Sequence, residues 1–172
     1  TLTYGKGEVS GEISTDNLGV PGSKAATGRF IPATQGKDNE GMQAAGIVGL
    51  TPVPTGGEDL LVDIMAEQEV IDAREFTTYI AHTDEQSYIE FGTNHDVSEE
   101  EITWVDLQKL PGTDGLIYWS TNFDKFTVGD ESLDLAYTST IWDTGTSLIG
   151  FNPKDLAVVV KSLAAGRELY DV

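Results

Sequence analysis

Helical spacing of apolar residues occurs at only two places in this chain of 172 residues, 58–71 and 152–163. Elsewhere the apolar runs are short, alternate with polar residues and are broken by glycine, of which there are nineteen. A helical bundle needs long stripes at i, i+3, i+4 spacing, and this pattern lacks them. The chain is therefore expected to be mostly β, with many tight turns. Hydrophobic residues make up 39% of it, enough for a substantial core in one large domain or two small ones.

Within that frame the first twenty residues read as two strands around Gly5-Lys6-Gly7, a tip tight enough to need glycine torsions. Further strands are expected at 29–33, 75–81, 87–91 and 102–107, and a long one at 117–128 that "VGDESL" turns back. "AGIVGL", residues 45–50, reads as a short buried strand interrupted by Gly49. In the first helix Leu60, Leu61, Ile64, Met65 and Ile71 share a face, and acids occupy the first turn. Asn152-Pro153 opens the second, an N-cap residue followed by one suited to the first helical position. Its expected buried stripe is Leu156, Val159, Val160 and Leu163, with Gly166 as the stop. Residues 92–101 are polar, acidic and aperiodic, and are expected to be a linker. No internal repeat or low-complexity tract is visible.

Charge narrows the function. Twenty-nine acidic against ten basic residues give a net charge of −19, which disfavours binding to nucleic acid and to anionic membrane surfaces. The excess fits a solvated surface, or adaptation to an acidic compartment where much of the self-repulsion is neutralised. No cysteine is present, so disulfides and thiolate metal sites within the chain are excluded. With only His82 and His95, a Ser-His or histidine-rich metal site is poorly supported. Both read as ordinary surface histidines. No apolar stretch reaches membrane-spanning length. The opening "TLTYGKG" reads as the inside of a hairpin, so the N-terminus of the protein is expected to lie upstream.

The chemistry concentrates in "STIWDTGTSLIG", residues 139–150. A short apolar run delivers Asp143 into a turn of small residues, and Leu148 and Ile149 resume the run. Glycine lets backbone approach the carboxylate, and hydroxyls and amides around it favour the ionised form. Paired with a second carboxylate, such a group shares one proton. The pair can act as base on a water and acid on a leaving amine. Alone, Asp-Thr-Gly also fits an Asx-type turn.

Its surroundings resemble the pepsin-like aspartic proteases along nearly the whole chain. "TLTYGKGEVSGEI" is similar to the family's flap hairpin, and "AGIVGL" to the hydrophobic-Gly segment behind its first catalytic loop. "EFTTYIA" and "IEFG", after the first helix, resemble the end of the N-terminal lobe. "ITWVDL" and "YWSTNFDKFTVGDESL" resemble the start of the C-terminal lobe, and "IWDTGTSLIG" the second catalytic loop. The resemblance implies a bilobal acid-protease fold, incomplete in this chain. Residues 1–94 would be the distal half of the first lobe, and 95–172 the proximal half of the second. Departures are Lys6 where the family often has a hydroxyl or acid, Ala45 in place of a common aspartate, the bulky Trp142, and the missing disulfides.

The same resemblance assigns roles. Asp143 would be one catalytic carboxylate, with Thr146 donating to it, Thr144 reaching towards the matching loop of the first lobe, and Gly145 allowing close approach. Tyr4, Gly5, Lys6 and Gly7 would form the flap, with Tyr118 and Ile141 walling substrate subsites or packing in the core. Residues 48–50 would be structural. The implied activity is endopeptidase cleavage of polypeptides, without metal or other cofactor and with no nucleic-acid or membrane partner. The missing N- and C-terminal segments of the same precursor would be partners, in a secreted setting or an acidic vacuole or lysosome. Two alternatives stay open: a pepsin-like binding or structural protein without catalysis, and an unrelated β-rich binding domain.

Overall fold

A computed structural model describes residues 1–164 except 5–6, 39–41, 43, 55–58 and 83, with Tyr4 described by its backbone alone. The chain divides into two compact units, Thr1–Thr103 and Trp104–Val172. The described residues hold eleven short strands and two α-helices, so the fold is mostly β.

In the first unit β1 (Leu2–Tyr4) and β2 (Gly7–Ser10) form an antiparallel hairpin whose last rung pairs Tyr4 with Gly7. Gly5 and Lys6 of its tip lie outside the described residues. The strand expected at 29–33 begins and ends earlier. β3 (Ser14–Leu18) pairs in full with β4 (Ala26–Phe30), and no rung extends past Phe30 because β3 begins at its partner, Ser14. β5 (Gln35–Lys37) closes a three-stranded sheet beside β2.

The first helix is shorter than its periodicity suggests: α1 runs Leu61–Glu67, and the chain then turns at Glu69, whose φ is +53°. Val62, Ile64 and Met65 are buried. Ile64 and Met65 join Ala26 in a core that Leu18, Leu61, Val70, Ile71 and Phe91 pack against. Gly28 makes this contact possible, because a Cβ there would collide with Ile64 Cδ1 and approach Leu18 Cδ1 to 2.9 Å. After the helix, Gln68 accepts the Thr27 N–H at 2.8 Å and donates its amide to the Thr27 carbonyl at 2.8 Å. One side chain thus completes a rung on the outer side of β4. β6 (Phe76–Tyr79) and β7 (Tyr88–Phe91) form the expected hairpin, with Tyr79 stacked on Tyr88.

Two apolar segments depart from expectation. Residues 45–50 form no strand, and Ile47 and Val48 are 60% and 62% exposed. Residues 102–107 likewise form no strand, with Trp104 72% exposed. A strand exists only where a neighbour takes its N–H and C=O groups, and none of the described ladders includes either segment. The polar segment 92–101 ends in a short 3₁₀ turn, Glu99–Glu101, where Ser98 donates its N–H and hydroxyl to the Glu101 carboxylate.

In the second unit the long strand expected at 117–128 is two strands, β8 (Ser120–Asn122) and β9 (Phe126–Val128). The break lets them take different partners. β9 pairs with β10 (Glu131–Leu133) through a turn at Gly129, φ +58°. β8 pairs with β11 (Ser139–Ile141). α2 (Pro153–Ala164) follows as expected. Asn152 Oδ1 accepts the N–H groups of Lys154 at 3.0 Å and Asp155 at 3.1 Å, satisfying helix-terminal donors. Of the expected stripe, Val159 is buried and Val160 half-buried, while Leu156 and Leu163 are 45% and 56% exposed. Gly166 lies outside the described residues.

Candidate active site

Asp143 sits at the end of a short ladder that continues past β11. The Trp142 N–H donates to the Trp119 carbonyl at 2.8 Å, one rung beyond the pairing of Ile141 with Ser120. The Trp142 indole N–H donates to Thr121 Oγ1 at 3.0 Å. These two bonds hold the residue before the aspartate to β8 and to the residue that precedes it, so the carboxylate emerges from a tethered strand end.

The loop then folds back on Asp143. The Gly145 N–H donates to Oδ1 at 2.9 Å, and the Thr146 hydroxyl donates to Oδ2 at 2.6 Å. The Thr146 N–H also reaches the Asp143 carbonyl at 3.2 Å. A Cβ on Gly145 would stand 3.1 Å from Oδ1, a tight contact that glycine avoids. The Thr146 hydroxyl first, and the Gly145 N–H second, hold the Asp143 carboxyl below the ordinary value of 3.8, against a small opposing effect of burial. Asp143 and the loop around it are nevertheless exposed. The arrangement is an accessible carboxylate kept ionised by fixed donors, able to accept a proton from water or to share one with a second carboxyl.

Three of the candidate residues, Asp143, Gly145 and Thr146, are thus brought together. Thr144 is exposed in the same loop. Tyr118 and Ile141 are each 43% exposed; Ile141 ends β11 just before the loop, and Tyr118 precedes β8, the strand that pairs with it. Tyr4 and Gly7 belong to the hairpin of the other unit, Gly7 buried there. His82 is exposed, and His95 is exposed beside Asp72, Nε2 to Oδ2 3.3 Å. Among the described residues no cluster of His, Cys, Asp or Glu could hold a metal ion, and no helix is long and apolar enough to cross a membrane.

One residue near the loop escaped the sequence reading. Asp155, in the first turn of α2, is only 3% exposed. It accepts N–H groups from Ala136 at 2.6 Å and Tyr137 at 3.2 Å, and from the Asn152 side chain. Burial is the largest influence on it and opposes ionisation. The Ala136 N–H, the Asn152 amide, the Tyr137 N–H and the Lys154 charge together outweigh burial and lower its pKa. The signal was the spacing Asn-x-x-Asp at the helix start, a relative of the capping box.

A mostly β chain with an Asp-Thr-Gly loop at a strand end has the form of an acid protease, and comparison with known proteins agrees. The chain matches the eukaryotic aspartyl protease family over residues 1–171 and belongs to it. It is 27% identical to vacuolar protease A of Neurospora crassa, over 99% of this chain and 42% of that protein. It is 31% identical to vacuolar protease A of Aspergillus fumigatus, over 91% and 39%, and 28% identical to a vacuolar aspartic protease of Candida albicans, over 94% and 39%. The chain therefore spans about two fifths of the length of these relatives.

Proposed function

We propose that Asp143 is one of two carboxylates of an aspartic endopeptidase, and that its partner is contributed by sequence outside these 172 residues. The observation that carries this reading is the exposed Asp143 carboxylate held by the Thr146 hydroxyl and Gly145 N–H. Membership of the family supports it, as does the presence of a single Asp-Thr-Gly in the sequence. Together the two carboxylates hold one proton and one water. The ionised member takes a proton as the water attacks the peptide carbonyl, and the protonated member polarises that carbonyl and later protonates the leaving amine. Thr144 spans to the partner loop, Tyr118 and Ile141 wall subsites, and Tyr4, Gly5, Lys6 and Gly7 form a flap over a polypeptide substrate. Residues 1–94 then serve the first lobe and 95–172 the second. The segments that complete each lobe come from the same precursor. The names of the relatives and the net charge of −19 support an acidic vacuolar or lysosomal setting.

The test is cleavage of a denatured protein substrate at acidic pH, by the 172-residue chain alone and by the chain extended with its flanking segments. The chain alone is expected to be silent. The extended protein is expected to be active in acid, to lose activity towards neutral pH as the shared proton leaves, and to be blocked by a statine-type mimic. Asp143→Asn is expected to slow it by roughly ten-thousandfold, the scale of losing a primary acid–base group. Turnover by the pure chain, abolished by the same substitution, would overturn the shared dyad. An extended protein whose activity ignores that substitution would overturn the assignment of Asp143.

A further inference from the structure

We propose that Asp155 is a positioning residue for the Asp143 loop, clamping the chain that leads into β11 to the start of α2. Its oxygens take the N–H groups of Ala136 and Tyr137, and through Thr138 these residues run directly into β11 and on to Asp143. The Thr138 carbonyl accepts the Phe123 N–H at 2.8 Å, so the same approach is also tied to the end of β8. On the far side, the loop runs from Asp143 to Phe151 and enters α2, which Asn152 caps. Asp155 therefore joins the two feet of the segment that carries Asp143, without touching the Asp143 carboxylate. A carboxylate only 3% exposed is costly unless its donors are well placed, and here three are. Capping alone does not account for it, because Asn152 already serves the helix N–H groups. The two main-chain donors come from outside the helix.

This proposal rests on the reading of Asp143 as a working carboxylate only in calling the loop functional. Its test measures loop geometry, not turnover, so either can fail without the other. In the 172-residue chain, nuclear magnetic resonance follows the Asp143 carboxyl carbon and the Gly145 amide proton through an acid titration. In the wild type the Gly145 amide should shift with Asp143 ionisation, and the Ala136 and Tyr137 amides should be protected from exchange. In Asp155→Ala the exchange of those two amides should rise about tenfold, the change expected on losing one hydrogen bond. The Gly145 response should fall by roughly half or more, since a hydrogen bond weakens steeply as its geometry opens, and Asp143 should titrate at higher pH. Asp155→Asn, which keeps one acceptor oxygen, should give intermediate values. An unchanged Asp143 titration and Gly145 response in both variants overturns the proposal, whatever happens at Ala136 and Tyr137. Collapse of the second unit's spectrum in both variants also overturns it, since the carboxylate would then serve folding and not loop position. Unprotected Ala136 and Tyr137 amides in the wild type overturn it at the outset.

Discussion

Asp143 is a small electrostatic device, and the Thr146 hydroxyl is its larger part. Thr146→Val removes that donor with little change of shape. The Asp143 carboxyl is expected to titrate at higher pH, read from its carbon shift, while Thr146→Ser leaves it near the wild-type value. The sign of the linked stability follows from the lowered pKa. The ionised carboxylate favours the folded loop above the ordinary 3.8, and that contribution disappears as pH falls through the lower folded value. Exposure and solvent screening keep the contribution small. This residue was legible in the sequence because its donors come from two and three positions later in the chain. Asp155 was not, because its main-chain donors lie nineteen and eighteen positions away, and only folding brings them to it.

Whole elements were legible where the pattern needs no distant partner. The β1–β2 and β9–β10 hairpins, each closed by a rung between residues three apart, and the α2 start at Asn152-Pro153, follow from turn chemistry and capping within a few residues. Residues 45–50 and 102–107 did not follow, since an apolar run becomes a strand only when another strand lies alongside. The packing of α1 on β4 shows the same limit. Nothing local marks Gly28 as special, yet the Ile64 side chain occupies the space a Cβ would need. Gly28→Ala should therefore destabilise the first unit by about 1–3 kcal/mol, the usual cost of overpacking. Ile64→Val removes the colliding Cδ1. The double variant should be less destabilised than the sum of the two single changes, as expected for residues in contact. Urea denaturation of the four proteins measures this, and strict additivity would mean that Gly28 matters for backbone freedom and not for close approach.

At the scale of the molecule two electrostatic trends oppose each other. Asp143, Asp155, Asp72 and Glu101 all have lowered pKa values, so their contributions to stability grow as pH rises out of the strongly acid range. The net charge of −19 at pH 7 acts the other way, because each further ionisation adds self-repulsion. Stability should therefore peak in mildly acidic solution and decline towards neutrality. At pH 7, raising ionic strength from about 0.01 M to 0.3 M shortens the screening length severalfold and should raise Tm by roughly 5 °C. At pH 4.5 the same salt step should do much less. Thermal melts at the two pH values decide it; an equal salt response at both would show that repulsion among carboxylates does not govern the loss of stability towards neutrality. The −19 charge was plain in the composition. What the composition does not show is where exposed apolar side chains collect: Leu148 and Ile149, just after the Asp143 loop, are 80% and 81% exposed in this chain.

The rung that Gln68 adds to β4 has a chemical lifetime. A free strand edge is a template on which another chain can assemble, and here a single amide occupies one position of that edge. Amides hydrolyse slowly in water. Were Gln68 to become a glutamate, its carboxylate could still accept the Thr27 N–H, but would face the Thr27 carbonyl, to which the amide now donates, with a second acceptor. One bond would turn into a repulsion and the edge would reopen. That position of the β4 edge would then lose its partner at the pace of one side chain's deamidation.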